Sequence, residues 1–299
     1  MKLSIIIPTK DRSELLLETI ETIAPQLREG VELVIVDASA NFPDPKVTAR
    51  LTPHIRYERG KAPSFDEAYE EAVAAARGEW VWLFSDDDWF KPGAVELVLS
   101  RLAGPQDLII VNAEVRERTM QRVLKPRWVA LPAREYTTRE YDQMFAELGD
   151  LGSFVGSLII RRPVWVDRMQ DSRKYFGTRF LTFVIPFLRP TATKFVDEIL
   201  VSVRFGHQSW VTGGAQLIGH TMAEVVWSFP LASWSKTAVR PQQPSFSEIL
   251  LWRASGSDVS KYSRILAATP RWAARFAVKL GLKITGRSGG ISDYILSQT

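Results

Sequence analysis

Over the first 111 residues, short β-rich runs alternate with helix-like stretches, and that alternation leaves few folds open. Leu3–Ile7 is a strand-like run ended by Pro8. Ser13 then caps a helix whose Leu16, Ile20, Ile23 and Leu27 share one face, with Gly30 as its end. Glu32–Val36 is a second strand running into Asp37, and 38–53 is a proline-broken loop before a third strand, His54–Glu58. Ser64 with Glu67 reads as a capping box before an alanine-rich helix to Arg77, which Gly78 would stop. Trp80–Phe84 is a fourth strand. Pro92-Gly93 opens another helix, and Leu108–Val111 is a fifth strand.

Such alternation predicts an α/β fold with a mostly parallel central sheet and right-handed crossovers. In these sheets ligands bind beyond the carboxyl ends of the strands. Three polar features stand at strand ends: Thr9 to Arg12, Asp37, and Asp86-Asp87-Asp88. They are expected to meet in one crevice. Further on, a glycine-rich stretch, 149–156, precedes a strand at Ser157–Arg161. Phe180–Leu188 fits helix or strand, and helical patterns dominate from Trp210. The expected organisation is a catalytic domain over 1–205 and a mainly helical extension over 206–299.

The stretch WVWLFSDDDWFKP (80–92) poses the functional question. Three adjacent carboxylates repel one another, and the flanks are as apolar as a core. A solvated acidic turn before a helix is the plain reading. Against it, the run Trp80–Phe84 reads as a central buried strand, and Trp89-Phe90 suggest the wall of a pocket. Carboxylate oxygens at a strand end suit a hard divalent cation, Mn2+ or Mg2+, that keeps open positions for phosphate oxygens.

The pieces SIIIPTKDR (4–12), ELVIVDAS (32–39), ARGEWVWLF (76–84) and SDDDWFKPGAV (85–95) resemble, in order and spacing, the family 2 glycosyltransferases of GT-A fold. The SDDDWFKP form is also similar to bacterial O-antigen and capsule transferases of the abequosyltransferase-like group. The resemblance implies a Rossmann-like GT-A domain that transfers a sugar from a nucleotide diphosphate. By position it assigns Pro8, Thr9, Arg12, Asp37, Asp66 and Asp86 to the nucleotide, and Asp87 and Asp88 to the metal. Donors of UDP, CDP or dTDP type and a saccharide acceptor, including lipid-linked saccharides, follow from the family. The chain departs from the family pattern at Ala38, where a second acid is common, and at Lys10, Asp11 and Ser85. Inverting members also use a late acidic pair as base, whereas Lys174–Phe183 carries no carboxylate. Asp150 is taken as the base because it borders the glycine-rich stretch, and His207 as an acceptor contact.

With no cysteine, disulfides and thiolate metal sites are excluded. The N-terminal apolar run is too short for a secretory signal, and no run reaches the roughly 18 apolar residues of a membrane span. A cytoplasmic, non-spanning protein is expected. From Arg253 onward eight basic residues face two acidic ones. Arg271, Arg275, Lys279 and Lys283 recur every fourth residue, with Trp272, Phe276 and Leu280 one position on. That stripe either lies in the inner face of the cytoplasmic membrane or packs on the rest of the chain. No motif for nucleic acid accompanies the charge. Two other functions fit less of the sequence. A sugar nucleotidyltransferase would need a glycine-rich loop after the first strand, and 8–12 has none. A non-catalytic saccharide-binding scaffold is favoured only by the missing acidic pair.

Overall fold

The computed structural model describes residues 1–176, 181–206, 222–229, 231–239, 246–255 and 268–284. Its strands are β1 (Leu3–Thr9), β2 (Val31–Asp37), β3 (Ile55–Arg59), β4 (Trp80–Leu83), β5 (Trp89–Phe90), β6 (Leu108–Arg116), β7 (Val123–Lys125), β8 (Arg134–Tyr136), β9 (Leu158–Arg161) and β10 (Thr193–Arg204). They form one sheet in the order β3-β2-β1-β4-β9-β6-β10-β5, with β7 on β6 and β8 on β10. The half β3-β2-β1-β4 is parallel, with Ile5 opposite Leu33 on one side and Trp82 on the other. Beyond β4, β9 runs antiparallel to both β4 and β6, so β6 points the same way as β4. The carboxyl ends of β1, β2, β4 and β6 therefore share one edge.

Every residue of β1, β2 and β4 is buried, as expected for strands covered on both faces. The helices α1 (Ser13–Ile23), α2 (Pro45–Thr48), α3 (Phe65–Ala75), α4 (Ala94–Arg101), α5 (Tyr141–Gly152), α6 (Arg162–Phe176) and α7 (Leu181–Phe187) supply the cover. Leu16, Ile20 and Ile23 of α1 are buried, and so are Tyr69, Ala72 and Val73 of α3. The segment Phe180–Leu188, open between helix and strand in the sequence, holds α7.

Several local expectations are corrected. β1 runs through Pro8 to Thr9, because β4's register on it ends at Ile6 and Pro8's missing N–H faces no strand there. Ser13 lies inside the first turn of α1, and Arg12 holds the cap position. α3 stops at Ala75, so Gly78 does not end it. A Cβ on Gly78 would stand 2.6 Å from Ser4 N and 2.7 Å from Trp80 O. Its role is close approach between β1 and the start of β4. The glycine-rich stretch is helical at its start: Gly149 and Gly152 belong to α5, and a Cβ on Gly152 would strike the Phe187 ring at 2.4 Å.

The far edge of the sheet is held by a buried polar knot. Ser4 Oγ donates to Glu32 Oε1 at 2.6 Å and receives Gly78 N at 2.8 Å, while Arg77 N and Arg56 also donate to Glu32. Burial works against the Glu32 carboxylate, but these donors hold it below the usual carboxylate range.

The chain divides into two compact units, 1–114 with 127–203, and 115–126 with 204–299. The second contains α8 (Met222–Ser228), α9 (Ser233–Val239), α10 (Phe246–Ser255) and α11 (Arg271–Ile284). In it α11 lies on α10, with Ala254 against Ala274 and Leu250, Leu251, Val278 and Leu282 around them. Among the described residues no helix is long and apolar enough to cross a membrane.

Candidate active site

β1 ends at Thr9, and the chain turns back through Asp11, which sits at φ 54°. Aspartate tolerates that left-handed conformation better than most side chains. The turn is tied to the loop after β2: Asp11 N donates to Ser39 Oγ at 2.7 Å, and Ala40 N to Asp11 Oδ1 at 3.3 Å. This geometry delivers Arg12 over the end of β4.

There it meets the acidic cluster. Arg12 pairs with Asp86 at 2.9 Å and with Asp87 at 2.5 Å. Thr9 Oγ1 donates to the other Asp86 oxygen at 2.7 Å. Asp88 turns elsewhere, accepting from Ser85 Oγ, while its backbone carbonyl accepts from Thr19 Oγ1 at 2.9 Å. The three aspartates are 4, 6 and 3 % exposed, which rules out a solvated acidic turn. Phe90 does not line a pocket. It is buried against Trp82 and Phe84, both at 4.3 Å between ring centroids, and locks the segment after the cluster into the core.

The remaining nucleotide candidates lie on the same edge. Pro8 is a buried β1 residue pairing with Val36. Asp37 is 1 % exposed and already engaged, accepting from Ser39 N at 2.7 Å and from the Tyr57 hydroxyl at 2.5 Å. Burial first, then the bond to Asp37, pushes Tyr57 up to about 12. Asp66 stands in the first turn of α3, one turn before Tyr69. Tyr69 donates to the carbonyl of Phe84 at 2.8 Å and fixes the exit of β4. Tyr57 and Tyr69 were not foreseen. Lone tyrosines in a loop-flanking strand and a helix carry no motif, and only the folded register brings them to the site.

Three adjacent carboxylates stand in a nearly buried space, and Arg12 pairs with two of them. Burial is the main reason that Asp86 ionises near 6 rather than 3.8, with Asp87 adding to the shift and Arg12 and Thr9 opposing it. Burial also works against the Arg12 charge, but the three aspartates more than offset it and raise its pKa. A donor set of oxygens alone fits a hard divalent cation. Among the described residues no group of three or more His, Cys, Asp or Glu is arranged to hold a metal ion, so an ion held here would need ligands from outside the cluster.

A pH prediction follows for the metal-free protein. Because Asp86 binds its proton more tightly folded than unfolded, its contribution is complete below about pH 4 and is lost as pH rises through 6. Wild type should therefore gain about 2 kcal/mol over Asp86→Asn between pH 7.5 and 4.5. Urea denaturation of both proteins at the two pH values measures it. A difference that does not change with pH would contradict the assignment.

Asp150 lies in the last turn of α5, not in a loop, and its Oδ2 accepts from Trp128 Nε1 at 2.9 Å. Trp128 stacks on Phe154, with ring centroids 5.6 Å apart, and its backbone N donates to Ala113 O at the outgoing end of β6. Asp150 thus belongs to the same sheet edge as the acidic cluster. His207 lies outside the described residues. One further buried carboxylate was missed: Glu114 ends the first unit's part of β6 and holds Lys91 at 2.5 Å and Ser202 at 2.7 Å. Its sequence context, a single acid in a β-rich run, gave no sign of it.

Comparison with known proteins agrees with this geometry. The sequence model of glycosyl transferase family 2 matches residues 4–169. The solved structure of S. aureus TarS 1-349 is similar over 100 % of this chain and 91 % of that one, with TM-score 0.58 and 14 % identity. The same protein in complex with UDP-GlcNAc gives TM-score 0.57 at 15 % identity, again over 100 % and 91 % of the chains. The mannosyltransferase PcManGT from Pyrobaculum calidifontis, in complex with GDP-Man and Mn2+, gives 0.58 at 14 % identity over 99 % of this chain and 85 % of that one. These likenesses establish the GT-A fold. No curated protein sequence matches the chain.

Proposed function

The chain belongs to glycosyl transferase family 2, and from that premise we propose that it moves a sugar from a nucleotide diphosphate to a saccharide hydroxyl with the help of a divalent cation. The observation that carries this is the buried cluster Asp86-Asp87-Asp88 at the outgoing end of β4, with Arg12 against two of its members. A diphosphate brought beside these buried carboxylates meets like charge, which a divalent cation between them would offset. Asp87 and Asp88 would hold Mn2+ or Mg2+; when bound, the ion stabilises charge on the leaving diphosphate. Thr9, Arg12, Asp37, Asp66 and Asp86 form the nucleotide side. In transfer the acceptor oxygen bonds to the anomeric carbon, the bond from that carbon to the diphosphate breaks, and the nucleoside diphosphate leaves. The acceptor's proton passes to Asp150, whose carboxylate Trp128 orients.

The acceptor we assign is a saccharide, lipid-linked or free, of bacterial surface polysaccharide. The likeness of SDDDWFKP to O-antigen and capsule transferases supports it. Donors of UDP, CDP or dTDP type follow from the family likeness, and GDP belongs in the test because PcManGT carries GDP-Man.

Calorimetric titration with the four nucleoside diphosphates, with and without Mn2+, tests the reading. One nucleotide should bind, and only with the cation. If none binds, the proposal fails. If one binds but neither transfer nor donor hydrolysis occurs, the chain is a binding module. Asp150→Asn should leave nucleotide affinity unchanged and lower transfer by roughly 10²-fold or more. Unchanged transfer would remove Asp150 from the mechanism.

A further inference from the structure

We propose that helix α11 docks this chain on an anionic lipid surface through Trp272, Phe276 and Leu280. The sequence left two uses open for this stripe: packing on the protein or facing a bilayer. The structure separates them. The seam that packs on α10 is a different one, made of Ala274, Val278 and Leu282. Trp272, Phe276 and Leu280 are 74, 67 and 47 % exposed. At about 100° per residue, these three form a stripe well round the helix from the packed seam. Arg275 and Lys279 occupy the arc between the two, Lys283 falls within the exposed stripe, and Arg271 turns to α10, where its Nε donates to Ala254 O at 3.2 Å.

Charge identifies the occupant. The helix RWAARFAVKLGLKI carries four basic residues and no acidic one. An exposed aromatic stripe bordered by Lys and Arg fits the boundary between headgroups and acyl chains, with the cations on phosphates and the rings below them. A second copy of this helix would bring like charges together along the same border. The face therefore suits an anionic lipid surface and opposes its own duplicate. Neither nucleotide nor catalysis enters this inference, so it stands or falls apart from the sugar-transfer reading.

The test uses the full chain and large unilamellar vesicles in a flotation assay. The protein should float with phosphatidylcholine vesicles that contain about 30 mol% phosphatidylglycerol, and about tenfold less with phosphatidylcholine alone. Raising salt from about 50 to 500 mM should release it. Trp272→Ser with Phe276→Ser should lower binding about tenfold or more, with the melting temperature unchanged because both side chains are exposed. Lys279→Glu with Lys283→Glu should weaken binding to the anionic vesicles only. Wild-type failure to float, or full binding by the serine variant, overturns the proposal. So does a dimer in sedimentation velocity that the serine variant dissolves, which would give the stripe to a second copy of the chain.

Discussion

Asp87→Asn should fold as wild type does and lose sugar transfer by roughly 10²–10³-fold, together with its cation-dependent nucleotide binding. The substitution keeps size and burial while removing one negative charge. Folding has little reason to suffer. Asp86 keeps its pair with Arg12 at 2.9 Å and its bond from Thr9 at 2.7 Å, and repulsion inside the cluster falls. Binding has every reason to suffer, because a carboxylate proposed to hold the cation is gone. Three measurements decide it: the melting temperature, the Mn2+-dependent part of nucleotide affinity, and turnover with the nucleotide that binds best. A protein that melts normally and binds nucleotide equally well with and without cation fits the prediction only if affinity has also fallen. If affinity and turnover both persist, Asp87 is not a ligand and the cluster has a structural purpose.

Gly78→Ala should destabilise the chain by about 3 kcal/mol or more, enough to reduce soluble yield. Its backbone is not left-handed, so conformational strain is not the reason. The added methyl would meet Ser4 N at 2.6 Å and Trp80 O at 2.7 Å, and main-chain atoms inside a parallel ladder have nowhere to go. The shift would also pull Ser4 Oγ from Glu32, leaving a 2 % exposed carboxylate short of a donor. Ser4→Ala offers a control. Removing that hydroxyl should not rescue Gly78→Ala, since the backbone contacts remain. Rescue would show that the clash is with the side chain alone. Urea denaturation of the three variants measures it.

Most of the site-bearing half of the sheet was legible in the sequence. β-rich runs at Leu3–Ile7, Glu32–Val36 and Trp80–Phe84, alternating with helices, favour a parallel sheet, and strand-end chemistry then places Thr9, Arg12, Asp37 and Asp86–Asp88 on one edge. What escaped was whatever depends on close approach. Gly78 looks like a helix stop and is a contact point between strands. Gly149 and Gly152 look like a loop and sit in α5, and at Gly152 the Phe187 ring fills the space a side chain would need. Trp89-Phe90 look like a pocket wall, yet Phe90 completes an aromatic core. Periodicity reports which face of a segment is apolar. It does not report which of two apolar stripes will find a partner, and on α11 Ala274, Val278 and Leu282 made that contact while Trp272, Phe276 and Leu280 did not.

The distances along the chain that meet at the acidic cluster bear on how the protein folds. Thr9 and Asp86 are 77 residues apart, and Arg12 and Asp87 are 75 apart. Parallel pairing of this kind closes long loops and is intrinsically slow. Arg12 finds its carboxylates only after β4 has inserted beside β1, which follows the synthesis of β2, β3 and α3. A nascent chain that stops short of Asp86 carries Thr9, Arg12 and Asp37 without the acidic cluster that Thr9 and Arg12 bond. Refolding followed by nucleotide binding should therefore lag behind refolding followed by helix content, and ligand affinity becomes a clock for long-range closure.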